Sequence, residues 1–76
     1  MSQFSDLETM IEILGLTIAR QASEEEFFRR SAEASSSEVA KSLFTEIADT
    51  LGNYCRDLEQ RRRKLLEALE DLKSAQ

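Results

Sequence analysis

The sequence predicts an all-α chain: an antiparallel hairpin of two long helices that dimerises into a four-helix bundle. Three observations lead to this fold class. The 76 residues contain no proline and only two glycines, which favours helix. Apolar residues recur in alternating steps of three and four along two long stretches, the spacing of helices that pack lengthwise. A single serine-rich break, Ser35–Ser37, separates the two stretches.

The first helix is predicted over about residues 5–34. Ser5, followed three positions later by Glu8, fits a capping box, in which both side chains satisfy backbone amides at the start of a helix. Two polar residues, Gln21 and Glu25, interrupt an otherwise apolar stripe along this helix. The stripe consists of Phe4, Leu7, Ile11, Leu14, Ile18, Gln21, Glu25, Phe28 and Ala32.

The second helix is predicted over about residues 38–74, after a turn at residues 35–37. Ser35 and Glu38 supply a second capping box. A turn this short joins antiparallel helices, so residues whose numbers sum to about 72 should lie level, and Phe28 should contact Phe44. The stripe of the second helix consists of Ala40, Phe44, Ile47, Leu51, Tyr54, Leu58, Arg61, Leu65, Ala68 and Leu72.

Dimerisation is expected because both stripes are wide. A chain of 76 residues makes one domain at most, and alone it buries only a modest fraction of its surface. Two helices cannot enclose a core between them, so we expect a homodimer or a higher homo-oligomer. The residues predicted to form the dimer or bundle core are Leu7, Ile11, Leu14, Ile18, Phe28, Phe44, Ile47, Leu51, Tyr54, Leu58 and Leu65.

Composition and charge limit the classes of partner. The formal net charge is -5 and the sequence pI is near 4.7, which argues against nucleic acid and against an anionic membrane surface. The basic run Arg61–Lys64 spreads around its helix, so we expect it to pair with Glu8 and Glu12 of the first helix. The chain has no apolar run of about 18 residues and no leader pattern, so we expect a cytoplasmic protein.

Cys55 is the only cysteine, so no disulfide can form within the chain. Its position beside the apolar stripe predicts a buried, small apolar side chain. A redox thiol or a disulfide across the dimer is the alternative. The chain has no histidine that could activate a serine or cysteine nucleophile.

Two segments in the centre of the chain resemble the rubrerythrin branch of the ferritin-like superfamily. The first is Thr17–Gln21 with Phe27 and Phe28 beyond it, and the second is Ser37–Ala48, which reads SEVAKSLFTEIA. They are similar to the family patterns A-I-x-x-E-x-x-x-x-x-F-Y and E-V-K-x-L-F-x-x-L-A-x-E-E-x-x-H, and the resemblance covers about residues 14–58. The resemblance implies a ferritin-like four-helix bundle, in which a dimer of hairpins could assemble a di-metal carboxylate centre.

The positions that would hold the metals differ from the family pattern. The resemblance places one family glutamate at Gln21, a second at Leu51 and the family histidine at Tyr54. A neutral amide, a leucine and a phenol with an ordinary pKa of about 10 are poor replacements for these ligands. We therefore expect no catalytic residue and no cofactor, with Gln21 hydrogen-bonded to Tyr54 as a polar plug in the bundle centre.

Glu25 is the remaining candidate metal ligand, because it interrupts the apolar stripe within the acidic run at residues 24–26. The alternative, which we expect, is a solvated acidic face, with Glu25 near a bundle edge or paired with an arginine such as Arg29, one helical turn further on.

These observations predict a non-enzymatic structural or protein-interaction module. The acidic face and residues 67–76 are candidate surfaces for an unidentified protein partner. Two alternatives stay open. One is an iron- or manganese-binding ferritin-like oxidoreductase with carboxylate ligands at a subunit interface. The other is a small helical chaperone or assembly factor that binds a helix of another protein.

Overall fold

The computed structural model describes residues 2–75, and these residues confirm the predicted all-α hairpin. Helix α1 spans Gln3–Ala34, helix α2 spans Glu38–Ser74, and three serines connect them. The helices are antiparallel, because residues near the start of α1 contact residues near the end of α2. The predicted contact near the turn is also confirmed, with the ring centroids of Phe28 and Phe44 6.2 Å apart.

The serines that cap the helices differ from those predicted. Helix α1 begins two residues earlier than expected, because Ser2 is its N-cap and accepts a hydrogen bond from the backbone N–H of Ser5 at 3.1 Å. Helix α2 is capped by Ser37, whose Oγ accepts from the Ala40 N–H at 3.3 Å. Ser35 instead ends α1, where its own N–H donates to a carbonyl of the last turn. Any of the three serines in the turn could cap α2 as far as local sequence goes, and the short connection between the helices leaves this role to Ser37.

The single hairpin is elongated and has no enclosed core. Its radius of gyration is 17.2 Å and its principal extents are 59 × 16 × 13 Å. A compact chain of this length would have a radius of gyration of about 11 Å. The chain exposes 5665 Å², whereas a compact folded protein of its mass would expose about 4,700 Å². No large side chain of the described residues is less than 2% exposed.

Small residues of α2 form the closest contact with α1. Ala48, Gly52 and Cys55 are all buried, and Ala48 is completely inaccessible. This line of contact lies one residue beyond the predicted stripe, because small side chains let the two backbones approach. As a result, Ile47 and Tyr54 remain 41% and 47% exposed in the single chain. The buried apolar residues are Ile11, Ala32, Ala48, Cys55, Leu58 and Leu69.

Candidate interaction face

Most of the large apolar side chains that remain exposed lie on one side of the hairpin, which we call the apolar face. On α2, Leu43, Ile47 and Tyr54 are spaced by four and seven residues, so they share one stripe with Leu65. Leu65 lines a shallow groove together with Met10 and other residues of α1, so apolar side chains of both helices lie on the same side there. Six large apolar residues on this face are 41% to 62% exposed: Met10, Ile13, Phe27, Leu43, Ile47 and Tyr54. Leu16 and Val39 are also exposed, but they lie about 140° and 180° around their helices from the buried Ile11 and Ala48, so each points away from the other helix.

The opposite side of the hairpin, which we call the charged face, is lined by ionic groups. Arg63 lies two residues from Leu65, about 200° around the helix, and it lines a cleft with Glu59 and Arg62. Nearer the turn, Glu26, Arg30 and other charged residues of α1 line a second cleft. The two broad sides of one hairpin therefore differ sharply in polarity.

The three positions expected from the resemblance to match metal ligands lie at mid-height of the hairpin. Gln21 and Leu51 are half-buried, whereas Tyr54 is 47% exposed on the apolar face. Within residues 2–75 no hydrogen bond joins Gln21 to Tyr54. The expected polar plug is therefore not formed in the single chain, because Tyr54 is turned to solvent.

Glu25 forms an ion pair with Arg29, one of the two arrangements expected for it without a metal. Its Oε2 accepts hydrogen bonds from Arg29 Nε at 3.1 Å and Nη2 at 2.8 Å. Arg29 also donates to Asp49 of α2, with Nη1 to Oδ1 at 3.2 Å, so it links the two helices. The hydrogen bonds to Glu25 and Asp49 raise the pKa of Arg29. In the part of the chain that the structure describes, no three Asp, Glu, Cys or His side chains are grouped closely enough to hold a metal ion.

The basic run near the open end of the hairpin does not pair as predicted. Arg61 forms an ion pair with Asp57, one turn back on its own helix, with Nε to Oδ2 at 3.2 Å. Arg62 crosses to α1 and donates from Nε to the carbonyl oxygen of Ile11 at 3.3 Å. The expected pairs with Glu8 and Glu12 do not form, since Asp57 and a backbone carbonyl lie closer to the arginines.

Charges at the rim of the apolar face are divided along its length. Near the turn, Glu46 lines a shallow groove beside Ile47. Towards the open end, Arg61 and Lys64 line the groove beside Leu65. Along α2 the rim therefore changes from acidic at Glu46 to basic at Arg61 and Lys64, and Asp71 lines a further groove beyond them at the open end.

Cys55 lies between the helices and not on the apolar face, which confirms the predicted buried thiol. It is 5% exposed, and its Sγ lies 3.9 Å from the carbonyl oxygen of Ile18. Burial raises the pKa of the Cys55 thiol, and the negative charges of Glu25 and Glu59 raise it further.

Sequence reasoning missed part of the apolar face. Ile13 lies outside the predicted stripe of the first helix, yet it is 56% exposed and lines the same groove as Met10 and Leu65. The helical spacing could have identified this residue, because Ile13 lies three positions after Met10 and so falls on the same side of α1.

Among the residues described, neither helix has the length and hydropathy needed to cross a bilayer. Comparison of the chain with family models, with curated proteins and with solved structures finds no match.

Proposed function

We propose that this chain is a cytoplasmic, non-catalytic structural and protein-interaction module whose apolar face packs against a second copy to form a four-helix bundle. One observation carries the proposal. Six large apolar side chains on one side are 41% to 62% exposed, while no large side chain of the described residues is less than 2% exposed. A second copy on this side would convert a single layer of two helices into two layers with a core between them.

The size of the apolar face supports a stable dimer. Each broad side of the hairpin measures 59 by 16 Å, a projected area of roughly 900 Å² that includes the charged rim, and each partner contributes roughly 800 Å² to a standard interface. Soluble monomers rarely expose contiguous apolar patches larger than a few hundred Å². The chain exposes more surface than a compact protein of equal mass, and this excess is similar in size to the area of one broad side of the hairpin.

The central residues of the face support a structural role over a catalytic one. Gln21, Leu51 and Tyr54 occupy the positions where the resembled family has its ligands, and they supply neither carboxylate nor imidazole. In the proposed bundle these residues lie near mid-length of the buried layer. Leu51 adds apolar contact there, whereas Gln21 and Tyr54 require hydrogen-bond partners from the second copy or from water.

The oligomeric state tests the proposal. Sedimentation equilibrium from low to high micromolar concentration is expected to give twice the chain mass of 8.7 kDa. Ile47→Glu places a charge on the apolar face and is expected to shift the protein to monomers with a lower melting temperature. Thr45→Glu is the matched control, because residue 45 lies two positions away on the charged side of the same helix. This control should remain dimeric.

Three results would overturn the proposal. The first is a wild-type chain that sediments as a compact monomer and melts cooperatively over the same concentration range. The second is stoichiometric iron or manganese in protein purified without chelator, which would favour the oxidoreductase alternative. The third is a monomer that co-purifies with one specific protein at equal stoichiometry, which would favour an assembly factor.

A further inference from the structure

Building on the proposed dimer, we infer that its two copies are antiparallel, so that the turn of one hairpin lies at the open end of the other. Helix α2 then packs along the partner's α2, about a two-fold axis that passes beside Tyr54.

Symmetry leaves two ways to stack identical hairpins face to face. A two-fold axis along the length of the hairpin places both turns at one end and packs α1 on the partner's α2. A two-fold axis across the hairpin places the turns at opposite ends and packs α2 on the partner's α2. The pattern of residues on the apolar face discriminates between the two arrangements.

The stripe of α2 on the apolar face is nearly palindromic about Tyr54. Leu43 lies eleven residues before Tyr54 and Leu65 lies eleven residues after it. A two-fold axis across the hairpin at Tyr54 therefore brings Leu43 onto the partner's Leu65. Glu46 lies eight residues before Tyr54 and Arg61 seven after it, so two pairs of opposite charge form symmetrically at the rim.

With the axis at Tyr54, the two copies also overlap along nearly the whole length of the apolar face. Helix α2 runs from Glu38 to Ser74, and Tyr54 lies close to its middle. Two antiparallel copies centred on this residue overlap over almost all of the 59 Å length of the hairpin.

The arrangement with both turns at one end has weaker charge complementarity. It places Glu24 of α1 beside the partner's Glu46, because the two residues lie at nearly the same distance from the turn. Both glutamates are exposed at the rim of the apolar face. This arrangement gains one attraction, between Asp6 and the partner's Lys64, and the repulsion between the glutamates offsets it. The antiparallel arrangement instead places Glu46 close to the partner's Arg61.

Disulfide trapping between differently labelled chains tests the orientation. Leu43→Cys and Leu65→Cys are made separately in a Cys55→Ala background, and the two proteins are unfolded, mixed in equal amounts, refolded and oxidised. In the antiparallel dimer the two cysteines meet across the interface, and up to half of the dimers are expected to become covalent. Either variant alone should not cross-link, because its two cysteines lie about 33 Å apart, the rise of 22 helical residues, far beyond disulfide reach.

A second mixture keeps failure of the orientation distinct from failure of the dimer. Leu43→Cys mixed with Phe27→Cys is expected to stay uncrosslinked, since only the arrangement with both turns at one end brings residue 43 near the partner's residue 27. Cross-linking of this mixture, or dimers that neither mixture traps, would overturn the antiparallel orientation and leave the proposed dimer intact. Monomers in both mixtures would overturn the proposed function itself.

Exchange of the rim charges provides an independent readout. Glu46→Lys places lysine beside the partner's Arg61 and is expected to weaken dimerisation about tenfold. The double variant Glu46→Lys with Arg61→Glu restores opposite charges in the symmetric dimer and should recover most of the lost affinity. A double variant that dimerises no better than Glu46→Lys alone contradicts the antiparallel pairing.

Discussion

The carboxylate of Glu25 lies directly over the backbone of Gly52, so close that a β-carbon at residue 52 would lie 2.8 Å from Glu25 Oε2. The opposite helix repeats this relationship. A β-carbon at residue 15 would lie 3.4 Å from Nε of Arg62, the nitrogen that donates to the Ile11 carbonyl. Each helix therefore has a glycine at the point where a charged side chain of the other helix crosses the interface.

Substitution of the two glycines by alanine should give unequal effects. Gly15→Ala is expected to raise the free energy of unfolding by up to about 1 kcal/mol, because alanine favours helix and its methyl group meets Arg62 at ordinary contact distance. Gly52→Ala is expected to gain less or to lose stability, because the Glu25 carboxylate must move and its hydrogen bonds to Arg29 are disturbed. Denaturant unfolding of both variants at equal protein concentration measures the difference.

A double-mutant cycle isolates the role of Glu25 in this difference. In a Glu25→Ala background the β-carbon at residue 52 no longer meets a carboxylate, so Gly52→Ala should become as favourable as Gly15→Ala. If Gly52→Ala changed the free energy of unfolding equally with and without Glu25, the close approach between the two residues would not be the reason that alanine is unfavourable at residue 52.

Loss of Arg62 should destabilise the open end of the hairpin, whereas loss of its neighbour should not. Arg62 is half-buried and donates to the Ile11 carbonyl, while Arg63 is exposed. We expect Arg62→Ala to lower the free energy of unfolding by about 1 kcal/mol and Arg63→Ala to leave it nearly unchanged. Hydrogen exchange of amides in the first turns of α1 should report the local loosening in the first variant only.

The contact between Phe28 and Phe44 near the turn provides a third test. Both rings are half-buried, and their centroids are 6.2 Å apart, whereas Phe27 is 62% exposed on the apolar face. Phe44→Ala is expected to lower the free energy of unfolding by about 2 kcal/mol, because truncating a half-buried ring costs less than truncating a fully buried one. Phe27→Ala should instead weaken dimerisation and change the fold of the hairpin little, which sedimentation and circular dichroism can separate.

Spacing in the sequence was enough to predict the two helices, their antiparallel register and two specific contacts. Phe28 and Phe44 lie at equal distances from the turn, and Glu25 and Arg29 lie one helical turn apart, so spacing along the chain places each pair side by side. The side of α2 that faces α1 was not predicted, because Ala48 and Gly52 carry little hydrophobic signal although they allow the closest approach. Large apolar residues dominated the predicted stripe, and several of them lie on the apolar face.

The ionic contacts were harder to predict, because long side chains choose among several acceptors. The sequence pointed Arg61–Lys64 towards Glu8 and Glu12, yet Arg61 pairs with Asp57 on its own helix. Exposed pairs of this kind differ by less than about 1 kcal/mol, so spacing alone does not rank them. The bond from Arg62 to a backbone carbonyl has no signature in the sequence.

The Cys55 thiol makes stability depend on pH in the alkaline range. Its pKa is raised in the folded chain, chiefly by burial, whereas the unfolded thiol ionises at about pH 8.5. Below that pH both states keep the proton and the thiol adds no pH dependence. Above it the unfolded state loses the proton first, so the free energy of unfolding should fall as pH rises, by at most about 1.4 kcal/mol per pH unit. The fall should level off once the pH exceeds the raised pKa of the folded thiol.

Comparison with Cys55→Ala isolates this contribution, because every other titratable group is present in both proteins. The difference in unfolding free energy between wild type and variant should narrow from pH 7 to pH 10 at one fixed protein concentration. Alkylation supplies a second measurement: the native thiol should react with iodoacetamide far more slowly than the thiol in denaturant. Equal reaction rates in the two states, with a stability difference that does not change with pH, would contradict the burial of Cys55 between the helices.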